Sequence, residues 1–182
     1  MKPIQKMTRS AFLIAVCVVL GYIFMPIPNV EMITAGIFLS GIWMGPKYGM
    51  FIGFIAEAIY SLFNPMGFPP PPLLVSQVAA MSLVGLTGGL FRNLLTKYRF
   101  FSRSHWIEHV LLGLTGIVLT VIFDILTTLS FPIAAGFNLK QIYMAMVLGI
   151  PFTVVHITVN CLIFAILIPA FLIRTKSWRF EC

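Results

Sequence analysis

Residues 110–123 carry no charged side chain, and the run ends on Asp124, which Ile125 and Leu126 follow at once. An ionised carboxylate facing lipid costs about 3 kcal/mol or more, so Asp124 must face protein or enclosed water. Further on, His156 and Asn160 stand four residues apart among Val, Ile, Leu and Phe, on one face of a helix. Two neighbouring apolar segments therefore each offer polar groups to an interior.

Hydrophobic residues make up 59% of the 182 and charged residues only 9%, which excludes an ordinary soluble domain. The expectation is a single-domain, all-α integral membrane protein spanning residues 1–182. Six apolar segments, 8–25, 32–45, 47–64, 73–95, 105–131 and 150–173, are read as six transmembrane helices in a compact bundle with an outward-facing binding pocket. The second is short for a span of about 20 residues, which implies tilting or partial unwinding. The basic start followed by residues 11–25 imitates a signal peptide, but no small-x-small site follows, and Pro26, Pro28 and Asn29 read as a loop. The segment is kept as the first span.

The formal charge of +7 fits a nucleic-acid partner less well than a topology. With both termini in the cytoplasm, Lys2, Lys6, Arg9, Lys47, Arg92, Lys97, Arg99, Arg103, Arg174, Lys176 and Arg179 fall inside and only Lys140 outside. The protein is accordingly placed in the cell membrane as a multi-pass chain. Of the outer loops, 64–72 contains four consecutive prolines and reads as a stiff cap over the pocket. From Lys140 to Arg174 one helix would measure about 50 Å, too long for a core of about 30 Å. The first part is therefore expected as a separate surface helix, with Pro151 opening the sixth span. Gly41, Gly45, Gly49 and Gly53 recur every fourth residue, and Gly85, Gly88 and Gly89 look similar; such spacing lets helix backbones approach closely.

Counting helix rise inward from the outer surface brings Asp124, His156, Asn160, Gln77 and Asn64 together in the outer half. A small-molecule pocket has this character, apolar with a few placed polar groups. Each residue has a plainer role open to it. Asp124 either serves a ligand or bonds a neighbouring helix; His156 is either a ligand contact or a neutral core histidine; Asn160 is either contact or interhelical glue. Glu57, near mid-membrane, is protonated, paired with a group such as Gln77, or part of the pocket floor. Glu31 sits on a water-facing loop where solvation suffices unless that loop folds over a ligand. No nucleophile motif, phosphate loop or metal set is present, since His105 and His109 lie at the other end of the bundle from His156, and no cofactor is expected. Three cysteines, two within apolar runs, make no disulfide framework.

Six short spans, a basic N-terminus, Ala11 and Ala15 four apart in the first span, the Asp124 to Thr127 run and the His156 to Asn160 spacing resemble the substrate-binding S components of energy-coupling factor (ECF) transporters. The resemblance implies a non-enzymatic subunit that captures a water-soluble vitamin or related micronutrient from outside. It implies a membrane coupling subunit and two ATP-binding cassette ATPases as partners, and release by tipping of the S component in the membrane. Ala11 and Ala15 inherit the contact with the coupling subunit, against the alternative of packing within the bundle. No set of residues matches the riboflavin, thiamine or biotin patterns closely enough to choose among them. A nearly uncharged outer pocket points to an organic molecule with few charges, unless Asp124 or Glu57 binds a cationic group. The alternatives are a small membrane enzyme using His156 and Asp124 as an acid–base pair, and a ligand-free accessory membrane subunit.

Overall fold

The computed structural model describes residues 2–98 and 105–175. Arg99, Arg103, Lys176 and Arg179 of the charge count lie outside the described residues, as do Cys182 and the side chains of Lys97 and His105. Among the described residues all regular structure is helical: α1 (Pro3–Phe24), α2 (Ile33–Met44), α3 (Pro46–Leu62), α4 (Pro71–Tyr98), α5 (His105–Ala134) and α6 (Leu139–Leu162), which continues through a π-helical turn (Ile163–Leu167) into α7 (Ile168–Arg174). Four stretches are long and apolar enough to cross a membrane: Pro3–Phe24, Pro71–Leu94, Trp106–Ala134 and Leu139–Arg174.

Helix α2 has 12 residues, about 18 Å of rise, well short of a hydrocarbon core. It is a regular helix, not an unwound one, and nine of its residues are buried, so its neighbours rather than lipid surround it. Gly45, at φ 86°, makes the turn into α3, and Pro46 opens α3 with the fixed φ suited to a first helical position.

The glycines hold α2, α3 and α4 together. A Cβ on Gly85 would stand 2.0 Å from the Gly49 carbonyl oxygen, and one on Gly41 would stand 2.2 Å from that of Gly85. One on Gly88 would meet the Phe38 carbonyl at 2.1 Å. Here backbone packs on backbone, the close approach that small residues permit between membrane helices. Phe38 then stacks at tilted angles on Phe91 and Phe164, with ring centroids 5.7 and 5.0 Å away, and carries the core across to the last helix.

The expected break at Pro151 is absent. Residues 139–174 form one helical rod, with Pro151 inside α6, and its 36 residues rise about 54 Å. Asn138 starts it with a capping box: its side chain accepts from the Gln141 N–H at 3.0 Å, and the Gln141 side chain accepts from the Asn138 N–H at 2.9 Å. The π-helical turn has a local cause as well. Pro169 has no N–H for the Ala165 carbonyl four residues back, and His109 Nδ1, reaching over from α5, bonds that carbonyl instead. His109 thus has a structural task.

Gly85→Ala should lower the unfolding free energy by about 1–3 kcal/mol or more, because neither backbone can move aside. Gly149→Ala, where a Cβ meets nothing nearer than 3.9 Å, should be neutral or slightly stabilising. Thermal melts in mild detergent compare the two, and equal melting temperatures would remove the glycine contact as the organising element.

Candidate functional site

At the end of the bundle shared by the C-termini of α1, α3 and α5 and the N-termini of α2, α4 and α6 lies a cavity of about 430 Å³. Its floor and one wall are built on α5 and α6. Asp124 Oδ1 lies 2.8 Å from His156 Nδ1, and Phe123 meets the imidazole edge-on. The other ring nitrogen, Nε2, is 3.2 Å from Glu31 Oε1. An imidazole between two carboxylates fits only if hydrogens fill both contacts: with both carboxyls ionised, both ring nitrogens must carry one.

Glu31 reaches this position through a tight turn. The Val30 N–H bonds the Ile27 carbonyl at 3.2 Å, Pro28 occupies the second turn position, and Asn29 takes the third at φ 57°. Proline followed by a residue tolerating positive φ is the arrangement of a type II turn. It folds the α1–α2 connection back over the cavity, so that Met25, Ile27, Pro28, Asn29, Val30 and Glu31 all line it. Thr34, in the first turn of α2, donates to Glu31 Oε1. Burial works to raise the Glu31 carboxyl, but the His156 imidazole, with the Thr34 hydroxyl and Asn160, holds it below the usual carboxylate range.

The opposite wall comes from α3 and α4. Glu57 is 1% exposed; its Oε1 accepts from Ser61 Oγ at 2.8 Å, and the same hydroxyl lies 3.3 Å from Gln77 Oε1. One hydroxyl hydrogen cannot serve both, and the shorter contact assigns it to Glu57, with Gln77 beside the same hydroxyl. Two carboxyl oxygens of cavity-lining residues, Glu57 Oε2 and Asp124 Oδ2, are buried with no partner among the described residues. Buried polar atoms of this kind are the exception in folded proteins.

Of the residues singled out from sequence, Asp124, His156, Gln77, Asn64 and Glu57 line the cavity together. Asn160 does not: it is fully buried one turn deeper, and its Nδ2 donates to Thr120 Oγ1 at 3.0 Å. Asn64 contributes from the start of the proline-rich loop, where its side-chain oxygen accepts from the Met66 N–H at 2.8 Å. The rest of that loop is not the cap: none of residues 65–72 lines the cavity, and Phe68 is exposed, as the α1–α2 turn occupies the mouth instead. Glu31 is the residue that sequence reasoning left in water. Its signal was the Pro28-Asn29 pair just ahead of it, which can reverse the chain toward the bundle. Ala11 and Ala15 are both exposed on α1, away from the cavity. They therefore do not pack within the bundle.

An apolar helical protein enclosing a cavity with a few polar groups has the build of a membrane component that binds a small solute. Residues 5–168 match the family model for the substrate-specific component of ECF transporters, and the chain belongs to that family. It is thus a substrate-specific transporter subunit, from a family of transporter components and not of enzymes, whose members bind small molecules and work with a membrane coupling subunit and ATPases. No curated protein and no solved structure gives a match to the chain.

Since its folded carboxyl is lowered, Glu31 should add stability above the ordinary carboxylate range and lose it as pH falls through the lowered value. Melting temperature against pH should therefore fall more steeply on the acid side for the parent than for Glu31→Gln. At neutral pH the variant should be less stable by about 1–3 kcal/mol. Parallel curves would show that the contact does not hold the turn.

Proposed function

We propose that the chain is the substrate-capture subunit of an ECF-type importer, crossing the cell membrane six times with both termini in the cytoplasm and the cavity open to the outside. Its cargo is a water-soluble vitamin or related micronutrient. The observation that carries this reading is the cavity of about 430 Å³, within the range of small-molecule sites, with two buried carboxylate oxygens unpartnered on facing walls. Asp124, Glu57, Gln77 and Asn64 contact the solute, His156 orients Asp124 and Glu31, and Asn160 supports the floor. The positive charge supports the orientation, because Lys2, Lys6, Arg9, Lys47, Arg92 and Arg174 all belong to the end of the bundle opposite the cavity. In this reading α2 and α3 count as the second and third spans, and α2, which neighbours enclose, need not match the bilayer thickness.

Ala11 and Ala15 give α1 a flat exposed strip, which supports contact with the helices of the coupling subunit. The acid–base alternative is disfavoured by the geometry at His156, where carboxylate oxygens occupy both ring nitrogens and leave neither for a substrate proton.

Native mass spectrometry of the full chain purified in mild detergent tests capture directly, and a stoichiometric small molecule released on denaturation is the expected result. Asp124→Ala should reduce the bound fraction at least about tenfold. An empty protein whose melting temperature no vitamin or precursor raises would overturn the reading, because a ligand that binds the folded state must stabilise it. Ala11→Trp and Ala15→Trp should abolish assembly with the coupling subunit and leave solute binding intact. Assembly at parental levels would move the docking face elsewhere.

A further inference from the structure

The cavity wall is unbalanced in charge. Three carboxyl side chains line it, those of Glu31, Glu57 and Asp124, while neither Lys nor Arg does. His156 is the basic group among them, and it is already committed, with Nδ1 to Asp124 and Nε2 to Glu31. A protonated imidazole offsets one carboxylate of its pair, and the Ser61 hydroxyl serves only one oxygen of Glu57. Glu57 Oε2 and Asp124 Oδ2 are the two that are buried without a partner, and Glu57 is 1% exposed. Leaving such oxygens bare is costly, and more so if they are charged. The rings of Tyr60, Phe123 and Phe152 also line the cavity.

We propose that the cavity takes a compact organic cation, a ring compound bearing a protonated amine or amidine whose N–H groups meet carboxyl oxygens of Glu57 and Asp124 while Tyr60, Phe123 and Phe152 cover its apolar part. The proposal rests on the capture reading and narrows it to a charge class. A neutral solute with donors could bond the same oxygens without offsetting their charge. An anion would face three carboxyls in surroundings that screen poorly. Aromatic faces add to the preference, since their electron-rich centres attract cations.

Three probes of one shape separate these cases: benzamidine, a cation; benzamide, its neutral counterpart; and benzoate, the anion. The full chain in detergent is melted with each at equal concentration and then titrated calorimetrically. The expected order is benzamidine well above benzamide, with benzoate giving no shift. Glu57→Gln and Asp124→Asn keep the side-chain shape, and each should weaken benzamidine about tenfold or more while moving benzamide little. Melts without probe show whether the variants fold; should one not fold, the order of the three probes on the parent still decides. Benzamide or benzoate binding as tightly as benzamidine would overturn the cation assignment and leave capture standing, because the cavity would be occupied. Silence from all three, with a protein that also purifies empty, would count against the capture reading itself.

Discussion

An imidazole between two carboxylates ties three distant parts of this chain: His156 from α6, Asp124 from α5 and Glu31 from the turn between α1 and α2. In apolar surroundings the attraction among them is weakly screened, and removing one member leaves the others uncompensated. The Pro28-Asn29 turn makes sense only with that contact, since it directs an acidic residue away from water and into the bundle. The mouth of the cavity is therefore shaped by electrostatics at its floor, and the turn stays folded because Glu31 has a partner to reach.

The facing wall is held by a different force. Where Gly41, Gly49, Gly85 and Gly88 bring α2, α3 and α4 into backbone contact, there are no rotamers to repack and little room to shift. Glu57 and Gln77 stand on that stiff assembly, so their positions are fixed before any solute arrives. The wall of α5 and α6 is joined by side chains and by a turn, elements that can adjust. A cavity with one rigid and one adaptable side can bind tightly without being closed permanently, because only the side that moves has ordering entropy to lose.

Much of this was legible in the sequence, for identifiable reasons. Asp124 and Glu57 sit in apolar helices, where lipid cannot solvate a carboxylate, so their inward orientation followed from position alone. The glycine spacing gave the close packing in the same way, and the motifs of α1, α5 and α6 carried the family. Other features depend on contacts between segments remote in the chain. Glu31 looked solvated because its burial is decided by a turn and by a histidine 125 residues away. His156 and Asn160 share a helical face, but the period cannot tell that the cavity ends between them and that Asn160 turns to Thr120. Pro151 read as a helix start because one helix from Lys140 to Arg174 is too long for the bilayer core and proline suits a first helical position, yet proline inside a helix costs only one backbone bond and some crowding of the previous turn. Membrane helices tolerate that loss when neighbours satisfy the freed groups.

The two ends of the bundle differ in a way that bears on transport. The end opposite the cavity carries Lys2, Lys6, Arg9, Lys47, Arg92 and Arg174, cations that favour anionic headgroups and hold that end at an interface. At the cavity end Glu31 is paired with His156, and Lys140 is the exposed charge among the described residues there. A lysine near a helix start can lay its stem along the apolar surface and keep its ammonium in water. In the proposed orientation, tipping the cavity end toward hydrocarbon therefore exposes lipid to few charges. If a cationic solute sits between Glu57 and Asp124, the loaded cavity is closer to neutral than the empty one, so the loaded subunit meets the smaller barrier to such a motion.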